Sequence, residues 1–384
     1  MNDIKRIGKG LNIEELVKKF DDWLMDDGPG ALVIREHLMP VEGNDAVLFP
    51  PTFAASKDKT FQGGYNIDEF PDGKNVCLID SVGSQANRIE PLFAKKKYAG
   101  LIPQIVVKAG EKRVNLLEAG HRAGDAIVRC SGLQQILQNA FKEVLKGNVE
   151  PLAKIAPTSL VFGAWDSRDT QAKLPRLIVS TIRAFDVRKL TRSAQYVPAM
   201  EYVDEGLLEE PADEKTKDAY AERGFKHHPA SSSHGGVIAS GGIRRDATLH
   251  LTALRQLNAA ENQEKTLALR RYILGLALTA FTTSPSGYLR QGCNLVLDPG
   301  KPRKFEEVFS DGHRKDVSLN HEDALAYAMA AAKSFGLNPD REINYQVSPD
   351  CEVMFDKNLA KKDVSNDTSD GKQKTKRTHA KKTT

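Results

Sequence analysis

The sequence predicts an α+β protein in which strands and helices alternate along the chain. Two observations carry this prediction. Residues 174–187 form a long run rich in β-branched side chains that alternate between two faces, as side chains do in a strand. Apolar residues between Leu133 and Leu145 recur instead at intervals of three and four, which is helical spacing, and Gly147 is a natural end for that helix. We therefore expect a sheet packed against helices.

The other elements follow from local patterns of the same kind. Residues 76–80 predict a short buried strand, followed by a helix that Asp80 or Ser81 caps. The remaining expected elements are an amphipathic helix within residues 1–30, a first strand at 31–34, an inserted loop at 40–70, a hairpin of 104–107 with 114–117, a buried helix at 266–281, a strand at 295–297 and a helix at 322–335 that Asn320 caps.

Two segments differ in composition from the rest of the chain. Residues 198–233 begin with a cluster of carboxylates and end in histidine and serine, and we expect them to form a flexible insertion. Residues 356–384 lose hydrophobicity and accumulate lysine, which predicts a disordered basic tail. The folded core is therefore expected in two parts, residues 31–197 and residues 234–355.

The overall composition is that of a globular protein with a mildly basic surface. The 384 residues are 40% hydrophobic and carry a net charge of +4, so a nucleic-acid partner is permitted but not required. Four widely spaced cysteines argue against a disulfide framework, and His227, His228 and His234 have no suitably spaced partners for a metal. No apolar window is long enough to span a bilayer, and the charged N-terminus does not resemble a signal peptide. We expect a cytoplasmic protein without membrane association, metal or cofactor.

The stretch from Ser159 to Val197 contains the main candidate for ligand binding. It is expected to begin with a strand at residues 160–162, to break at Gly163 and to continue as a basic hairpin. Lysine and arginine neutralise phosphates and aromatic rings stack on bases, so this composition suits a single nucleic-acid strand. The alternative is a solvated sheet face whose charges only maintain solubility. The selected residues are Arg168, Lys173 and Arg176 as phosphate contacts and Trp165 as a base-stacking residue, with a core position as the other interpretation of Trp165.

Two further groups of residues are candidates for phosphate contact. Gln85, Asn87 and Arg88 stand at the beginning of a helix, where backbone N–H groups and the helix dipole attract anions. The alternative is that Asn87 and Arg88 cap the helix or pair within the fold. A glycine-rich loop would let the backbone approach phosphate closely, although it lacks the Lys-Ser/Thr of a P-loop. This second group is Gly235, Gly236, Gly241, Gly242, Arg244 and Arg245.

Catalytic chemistry is the competing interpretation of a few side chains. His121 and Asp125 are four residues apart and are suited either to a catalytic pair or to a structural hydrogen bond. Asp166 and Asp169 beside the basic hairpin are the acidic candidates for a cleavage reaction. We expect the structural interpretation in both cases, and no catalytic residue.

Five segments, taken in order, resemble the backbone subunit of type I-U (also called I-G) CRISPR Cascade complexes, the "Cas-seven" subunit of the RAMP superfamily. The resemblance covers residues 31–300, which makes it more specific than any single motif. The segments are Asp80–Glu90, Gly120–Arg129, Phe162–Arg168, Ser193–Pro198 and Leu269–Leu278.

The resemblance implies a modified RRM-like (ferredoxin-like) core, in which an antiparallel sheet carries helices on one face and large finger and thumb insertions. It implies that the chain polymerises along a guide CRISPR RNA and holds the RNA backbone while the bases pair with target DNA. The implied partners in antiviral defence, within the prokaryotic cytoplasm, are the guide RNA, target DNA through the guide, further copies of the chain, the large subunit, the RNA-end-binding RAMP subunit and the recruited helicase-nuclease.

Type I relatives of this kind do not cut RNA, whereas related backbone subunits of type III complexes do so with an acidic loop residue. The resemblance therefore implies a non-catalytic subunit. Two alternatives remain open: a RAMP endoribonuclease that uses His121 or Asp166, and a general single-strand-binding protein unrelated to CRISPR.

Overall fold

A nine-stranded antiparallel sheet forms the centre of the molecule. A computed structural model of the chain describes residues 13–283 and 287–365, without the side chains of residues 230–233. The strands are β1 (Ala31–Pro40), β2 (Thr52–Phe53), β3 (Gly64–Tyr65), β4 (Ile67–Glu69), β5 (Asn75–Asp80), β6 (Ile105–Ala109), β7 (Lys112–Asn115), β8 (Ala164–Trp165), β9 (Lys173–Leu174), β10 (Ile178–Phe185), β11 (Val187–Tyr196), β12 (His228–Ala239), β13 (Ile243–His250), β14 (Tyr288–Arg290), β15 (Cys293–Leu297), β16 (Lys304–Val308), β17 (Arg314–Asp316) and β18 (Cys351–Met354).

The helices connect these strands and cover one side of the sheet. They are α1 (Ile13–Lys18), α2 (Val82–Ile89), α3 (Ala126–Arg129), α4 (Gln134–Leu145), α5 (Glu150–Ala153), α6 (Thr158–Phe162), α7 (Glu214–Glu222), α8 (Leu251–Arg255), α9 (Gln263–Thr282) and α10 (His321–Ser334). Short 3₁₀ turns lie at Asp21–Leu24, Glu90–Ala94, Ala99–Leu101, Leu116–Glu118 and Arg122–Gly124. Within the described part of the chain, no helix is both long enough and apolar enough to cross a membrane.

The strand order of the central sheet is β14-β15-β1-β13-β10-β5-β4. β1 is paired along one edge with β13, while its other edge is shared by two strands. β16 pairs with residues 31–35 of β1 and β15 pairs with residues 38–40, and β17 extends the sheet beyond β16. A separate three-stranded sheet of β18, β6 and β7 lies outside this order.

The two faces of the sheet differ in burial because side chains alternate along β1, β10 and β13. On one face, Leu32, Ile34 and Leu249 are fully buried and join a core with Ile273 of α9. α9 is apolar on nearly all sides, as expected of a helix enclosed by the core, and α10 packs along it. A second apolar cluster, which includes Leu38 and other sheet residues, lies at the far end of the same face.

An ion triad separates the two apolar clusters along β1. Glu36 points into the buried face and accepts a hydrogen bond from Nε of Arg245 at 2.6 Å. Its other carboxylate oxygen lies 3.2 Å from Nε of Arg303. Glu36 and Arg245 are both almost fully buried, so each neutralises the charge of the other where water cannot.

A two-stranded ribbon of β11 and β12 leaves the sheet and is closed by residues 197–227; we call residues 187–239 the arm. Its foot is held by residues from the loop after β1. Leu48 and Val237 exchange two backbone hydrogen bonds of 2.9 and 2.8 Å, and the Tyr65 hydroxyl accepts one from the backbone of Gly236 at 3.0 Å. A Cβ at Gly236, whose φ is +89°, would lie 2.5 Å from Cγ1 of Val47, so only glycine permits this close packing.

Several local predictions agree with the structure. The Ser81 side chain caps α2 by accepting from the backbone of Ser84, and Asn320 caps α10 by accepting from that of Asp323. The predicted hairpin forms from β6 and β7, and the predicted helices correspond to α4, α9 and α10. With its mixture of helices and antiparallel strands, the molecule is of the α+β type.

Two sequence-based expectations about local structure are wrong. Residues 160–162 belong to the helix α6 and are all buried. A short apolar run is equally compatible with a strand and with a buried helix, and Pro157 before it favours the helix. The expected glycine-rich loop is mostly strand, because Gly235 and Gly236 lie within β12 and only Gly241 and Gly242 form the turn to β13.

The expected insertions contain more regular structure than their composition indicated. Residues 40–70 include β2, β3 and β4, and residues 198–233 include α7 and the first part of β12. Residues 357–365, expected to begin a disordered tail, are helical, and Asp363 lies 2.8 Å from Nη2 of Arg129. The rest of the expected tail lies outside the described residues.

Candidate nucleic-acid interface

A cleft of about 560 Å³ lies beside the hairpin of β8 and β9. Three parts of the chain contribute its walls: α2, the turn before α3, and the hairpin itself. The side chains that matter for binding are Asn87, His121, Arg122, Trp165, Lys173 and Arg176. The structure thus brings Asn87 of α2 together with Trp165, Lys173 and Arg176 of the hairpin region, four residues selected from the sequence as nucleic-acid contacts.

The hairpin presents an aromatic ring beside a cation. Trp165 and Lys173 are directly opposite each other in the β8–β9 pair, and the Lys173 ammonium lies 5.7 Å from the Trp165 ring centroid. Trp165 is 57% exposed, so the interpretation of this residue as part of the core is wrong. An exposed indole next to a cation offers a nucleobase a flat stacking surface.

The loop of the hairpin is held by Asp166. Its buried carboxylate accepts hydrogen bonds from both the backbone N–H and the hydroxyl of Thr170, at 2.8 and 2.6 Å. Backbone bonds from Asp166 to Ala172 and from Gln171 to Asp166 close the loop. Asp166 therefore shapes the loop that follows Trp165. Arg168 is exposed on that loop and is not among the cleft-lining residues.

Arg122 forms the floor of the cleft, and sequence reasoning did not select it. Its backbone has φ +54°, and its buried guanidinium donates from Nε to Glu90 at 2.6 Å and from Nη1 to the Gly163 carbonyl at 3.2 Å. The Nη2 atom lies 3.5 Å from Oδ1 of Asn87. The motif Gly120-His121-Arg122 was visible in the sequence, but its main partner Glu90 is distant in the chain and only the fold brings the two together.

The cleft is positively charged. Arg122, Lys173 and Arg176 line it, while the described lining residues include no carboxylate. Burial lowers the pKa of the Arg122 guanidinium, Glu90 opposes that effect, and the nearby charge of Arg176 adds to it. Burial also raises the pKa of Glu90 to about 7. Because the carboxylate lies beneath the guanidinium, the surface offered to a ligand is cationic, which suits phosphate.

Gly163 sets the distance between the floor and the wall of the cleft. Its φ is +78°, and a Cβ there would lie 2.9 Å from Cγ of Arg176 and 3.0 Å from the Leu174 carbonyl oxygen. Any larger residue would strain the backbone and displace Arg176.

Gln85 and Arg88 were expected at the beginning of a helix, but Gln85 lies in the middle of α2 and Arg88 in its last turn, and both have structural partners. Gln85 is buried, donates to the Asp80 carboxylate at 2.6 Å and accepts from the Ser180 hydroxyl at 3.0 Å. Arg88 donates to the same carboxylate at 3.2 Å and to the Leu289 carbonyl at 2.8 Å. Arg88 therefore pairs within the fold, with Asp80 as its partner. Gln85 is not among the residues that line the cleft.

The two arginines selected after the glycine-rich segment, Arg244 and Arg245, point to opposite faces of the sheet because side chains alternate along β13. Arg245 is 2% exposed and bound to Glu36, so its selection as a ligand contact is corrected to a structural role. Arg244 points to the other face, where it donates to Asp246 at 2.9 Å and stacks 4.7 Å from the Phe185 ring centroid. A Cβ at Gly235 would lie 2.6 Å from the carbonyl carbon of Thr191, so this glycine serves the close approach of β11 and β12.

The candidate catalytic pair does not form through the histidine ring. The backbone N–H of His121 donates to Asp125 at 3.1 Å, and the same carboxylate caps α3. His234 packs against Tyr65, with ring centroids 4.9 Å apart. The described residues contain no group of three or more His, Cys, Asp or Glu side chains that could hold a metal ion.

The fold and the cleft define an α+β protein with a cationic groove beside an exposed aromatic ring. Residues 32–189 match the family described as CRISPR-associated protein GSU0053 (Cas_GSU0053). The matched segment is less than half of the chain, begins in β1 and ends in β11, and contains every residue that lines the cleft. This segment is thus similar to a CRISPR-associated protein family. A comparison with curated proteins found no match.

Proposed function

We propose that this chain is the backbone subunit of a type I-U (I-G) Cascade complex, in which it binds guide CRISPR RNA without cutting it. Copies of the chain polymerise along the guide and leave its bases available to pair with target DNA. The complex acts in antiviral defence in the prokaryotic cytoplasm, together with a large subunit, an RNA-end-binding RAMP subunit and a recruited helicase-nuclease.

The observation that carries the proposal is the position of the cleft inside the CRISPR-associated segment. Its two exposed basic side chains, Lys173 and Arg176, suit the phosphates of a single strand, and the exposed ring of Trp165 suits a base. Neither kind of contact reads sequence, which is what a subunit that must accept any guide requires.

The topology supports a modified RRM-like core. The order β16-β1-β13-β10 is fully antiparallel, with helical connections between β1 and β10 and between β13 and β16. This is the βαββαβ arrangement of ferredoxin-like folds, to which the remaining strands are additions. In this interpretation the arm is the thumb.

The charge of the arm supports assembly of copies along the guide. Its tip carries a cluster of carboxylates and the helix α7, which has no buried residue. An acidic tip at the end of the arm suits a basic surface at a different place on a neighbouring copy, so such a contact is head-to-tail and extends into a filament. The acidic residues of the tip are Glu201, Asp204, Glu205, Glu209, Glu210, Asp213, Glu214, Asp218 and Glu222.

Purification under native conditions tests the proposal. We expect large, salt-sensitive particles that contain RNA, identified by the ratio of nucleic-acid to protein absorbance and by sequencing. The variant Lys173→Gln/Arg176→Gln should lose the RNA, because it removes two cations from the cleft. Lys108→Gln/Lys112→Gln is the control, because it removes the same charge at exposed positions of β6 and β7. This variant should retain the RNA. A wild-type monomer that binds neither cellular nor added guide RNA would overturn the proposal.

The endoribonuclease alternative has one observation in its favour, since the exposed His121 lines the cleft. Incubation of the chain with end-labelled RNA separates the two functions. We expect intact RNA with the wild type. Cleavage products that disappear in His121→Gln or Asp166→Asn would establish the alternative instead.

A further inference from the structure

The sheet has a second cationic surface, on the face opposite the helices. Side chains of β1, β10 and β13 that alternate with the buried ones point to this side and are only partly covered. The hydrogen bond between Gln85 of α2 and Ser180 of β10 places the helix beside the buried face. The cleft and this surface, which we call the open face, therefore lie on different sides of the sheet.

Three basic residues form one row across the open face. His37 is directly opposite Arg244, and Arg244 is directly opposite Arg183 on its other side. Adjacent strands are about 4.8 Å apart, so Arg244 and Arg183 concentrate two positive charges within one strand spacing. Like charges directly opposite each other destabilise a sheet, which makes this row costly for the protein alone.

The neighbouring row neutralises this charge only in part. Asp246 is shared by Arg244, at 2.9 Å, and Arg35, at 3.4 Å. The guanidinium of Arg183 donates to the neutral hydroxyl of Thr181 at 2.7 Å. Asp246 thus pairs with two of the three arginines, and the partner of Arg183 is uncharged. His37 is held towards its neutral form, because burial and the charges of Lys301, Arg244 and Arg35 lower its pKa against the opposing charge of Asp298.

The arginines are also held in orientation. Arg244 lies against the ring of Phe185, with Cζ 4.7 Å from the centroid, and is about one-third exposed. A guanidinium fixed flat on a ring keeps donors directed outward and loses little conformational freedom when it binds an oxyanion.

We infer that the open face is a second nucleic-acid surface, where Arg183, Arg244 and Arg35 contact the phosphodiester backbone of a strand on the side of the sheet away from the cleft. The inference rests on the proposed function, since it takes the ligand to be nucleic acid. Arg183 and Arg244 lie in one row of the sheet and Arg35 in the next, and such a cluster of guanidinium groups matches the phosphates of a strand in both charge and hydrogen-bond geometry. The protein would then contact nucleic acid on two sides of one sheet.

Salt-dependent binding of a labelled single-stranded RNA to the full chain tests the inference. We expect Arg183→Gln/Arg244→Gln to weaken binding on the order of tenfold and to flatten the plot of log affinity against log salt by about 1.4, because single strands contribute about 0.7 per neutralised phosphate. Arg183→Lys/Arg244→Lys should recover most of the salt slope. Lys108→Gln/Lys112→Gln is the charge-matched control, and thermal melting checks that each variant is folded.

The outcomes separate this inference from the proposed function. If Lys173→Gln/Arg176→Gln weakens binding while Arg183→Gln/Arg244→Gln behaves like the control, the open face is not a nucleic-acid surface but the cleft remains one. If the wild type does not bind RNA at low salt, both are overturned. If the open-face variant changes only the size of the protein assembly, the occupant is the acidic arm tip of a second copy and the inference is wrong.

Discussion

The carboxylate of Glu90 lies 2.6 Å from Nε of Arg122, and both groups are almost fully buried beneath the cleft. This pair joins the end of α2 to the turn before α3, two segments that lie on either side of the candidate RNA path. The ionisation of Glu90 is therefore coupled to the stability of the cleft floor.

Stability should depend on pH through Glu90. Burial raises its pKa from an ordinary 4.5 to about 7, with Arg122 opposing the rise. Between these values the folded chain holds a proton that the unfolded chain has released, so the contribution of Glu90 to stability falls as pH rises. We expect the melting temperature of the wild type relative to Glu90→Gln to decline from about pH 5 to about pH 7. A difference that stays flat over that range would mean that Glu90 is ionised throughout, as a partner of Arg122.

Trp165→Ala should weaken RNA binding without affecting the fold. Base stacking on an aromatic ring contributes about 1–3 kcal/mol, so affinity should fall by roughly 5- to 150-fold. Because the side chain is more than half exposed, the melting temperature should stay within about 1–2 °C of the wild type. Phe70→Ala removes a similarly exposed ring outside the cleft and is the control for binding. Equal losses in the two variants would rule out a specific stacking role.

Gly163→Ala should both destabilise the protein and weaken RNA binding. A non-glycine residue at positive φ costs on the order of 1–3 kcal/mol, and the added Cβ would also press against Arg176. Gly147→Ala is the matched control, since Gly147 has φ +85° and nothing within 4 Å of the added Cβ. Chemical denaturation and RNA titration of both variants separate the backbone strain from the displacement of Arg176. Unchanged RNA affinity in Gly163→Ala would show that the position of Arg176 is not critical.

Two neighbouring arginines should differ sharply in their effect on stability. Arg245→Gln leaves Glu36 buried with a weaker partner and should cost about 3–5 kcal/mol. Arg244→Gln removes a half-exposed pair and should cost about 1 kcal/mol or less. Urea denaturation measures both. Comparable losses would contradict the alternation of β13 between a buried and an open face.

The features that could be predicted from the sequence depend on near neighbours. Ser81 caps α2 through Ser84, and Asn320 caps α10 through Asp323, so each interaction spans only four residues of the sequence. The roles of Trp165 and Arg122 could not be predicted in this way, because exposure and burial are decided by residues distant in the chain. The correct role of Arg245 was accessible: Ile243, Ala247 and Leu249 share its strand parity, and that apolar series indicates an inward side chain.

The foot of the arm has a consequence for assembly geometry. The base of the ribbon is fixed to the loop after β1 through Leu48, Tyr65 and Gly236. Further from the sheet, two bulges between Lys189 and Ala194 bend the ribbon. The direction in which the arm leaves the sheet is therefore set by a segment that lies much earlier in the chain. In the proposed assembly, changes in residues 40–66 would therefore move the tip to a different position on a neighbouring copy, and so alter the pitch of the filament without changing either contact surface.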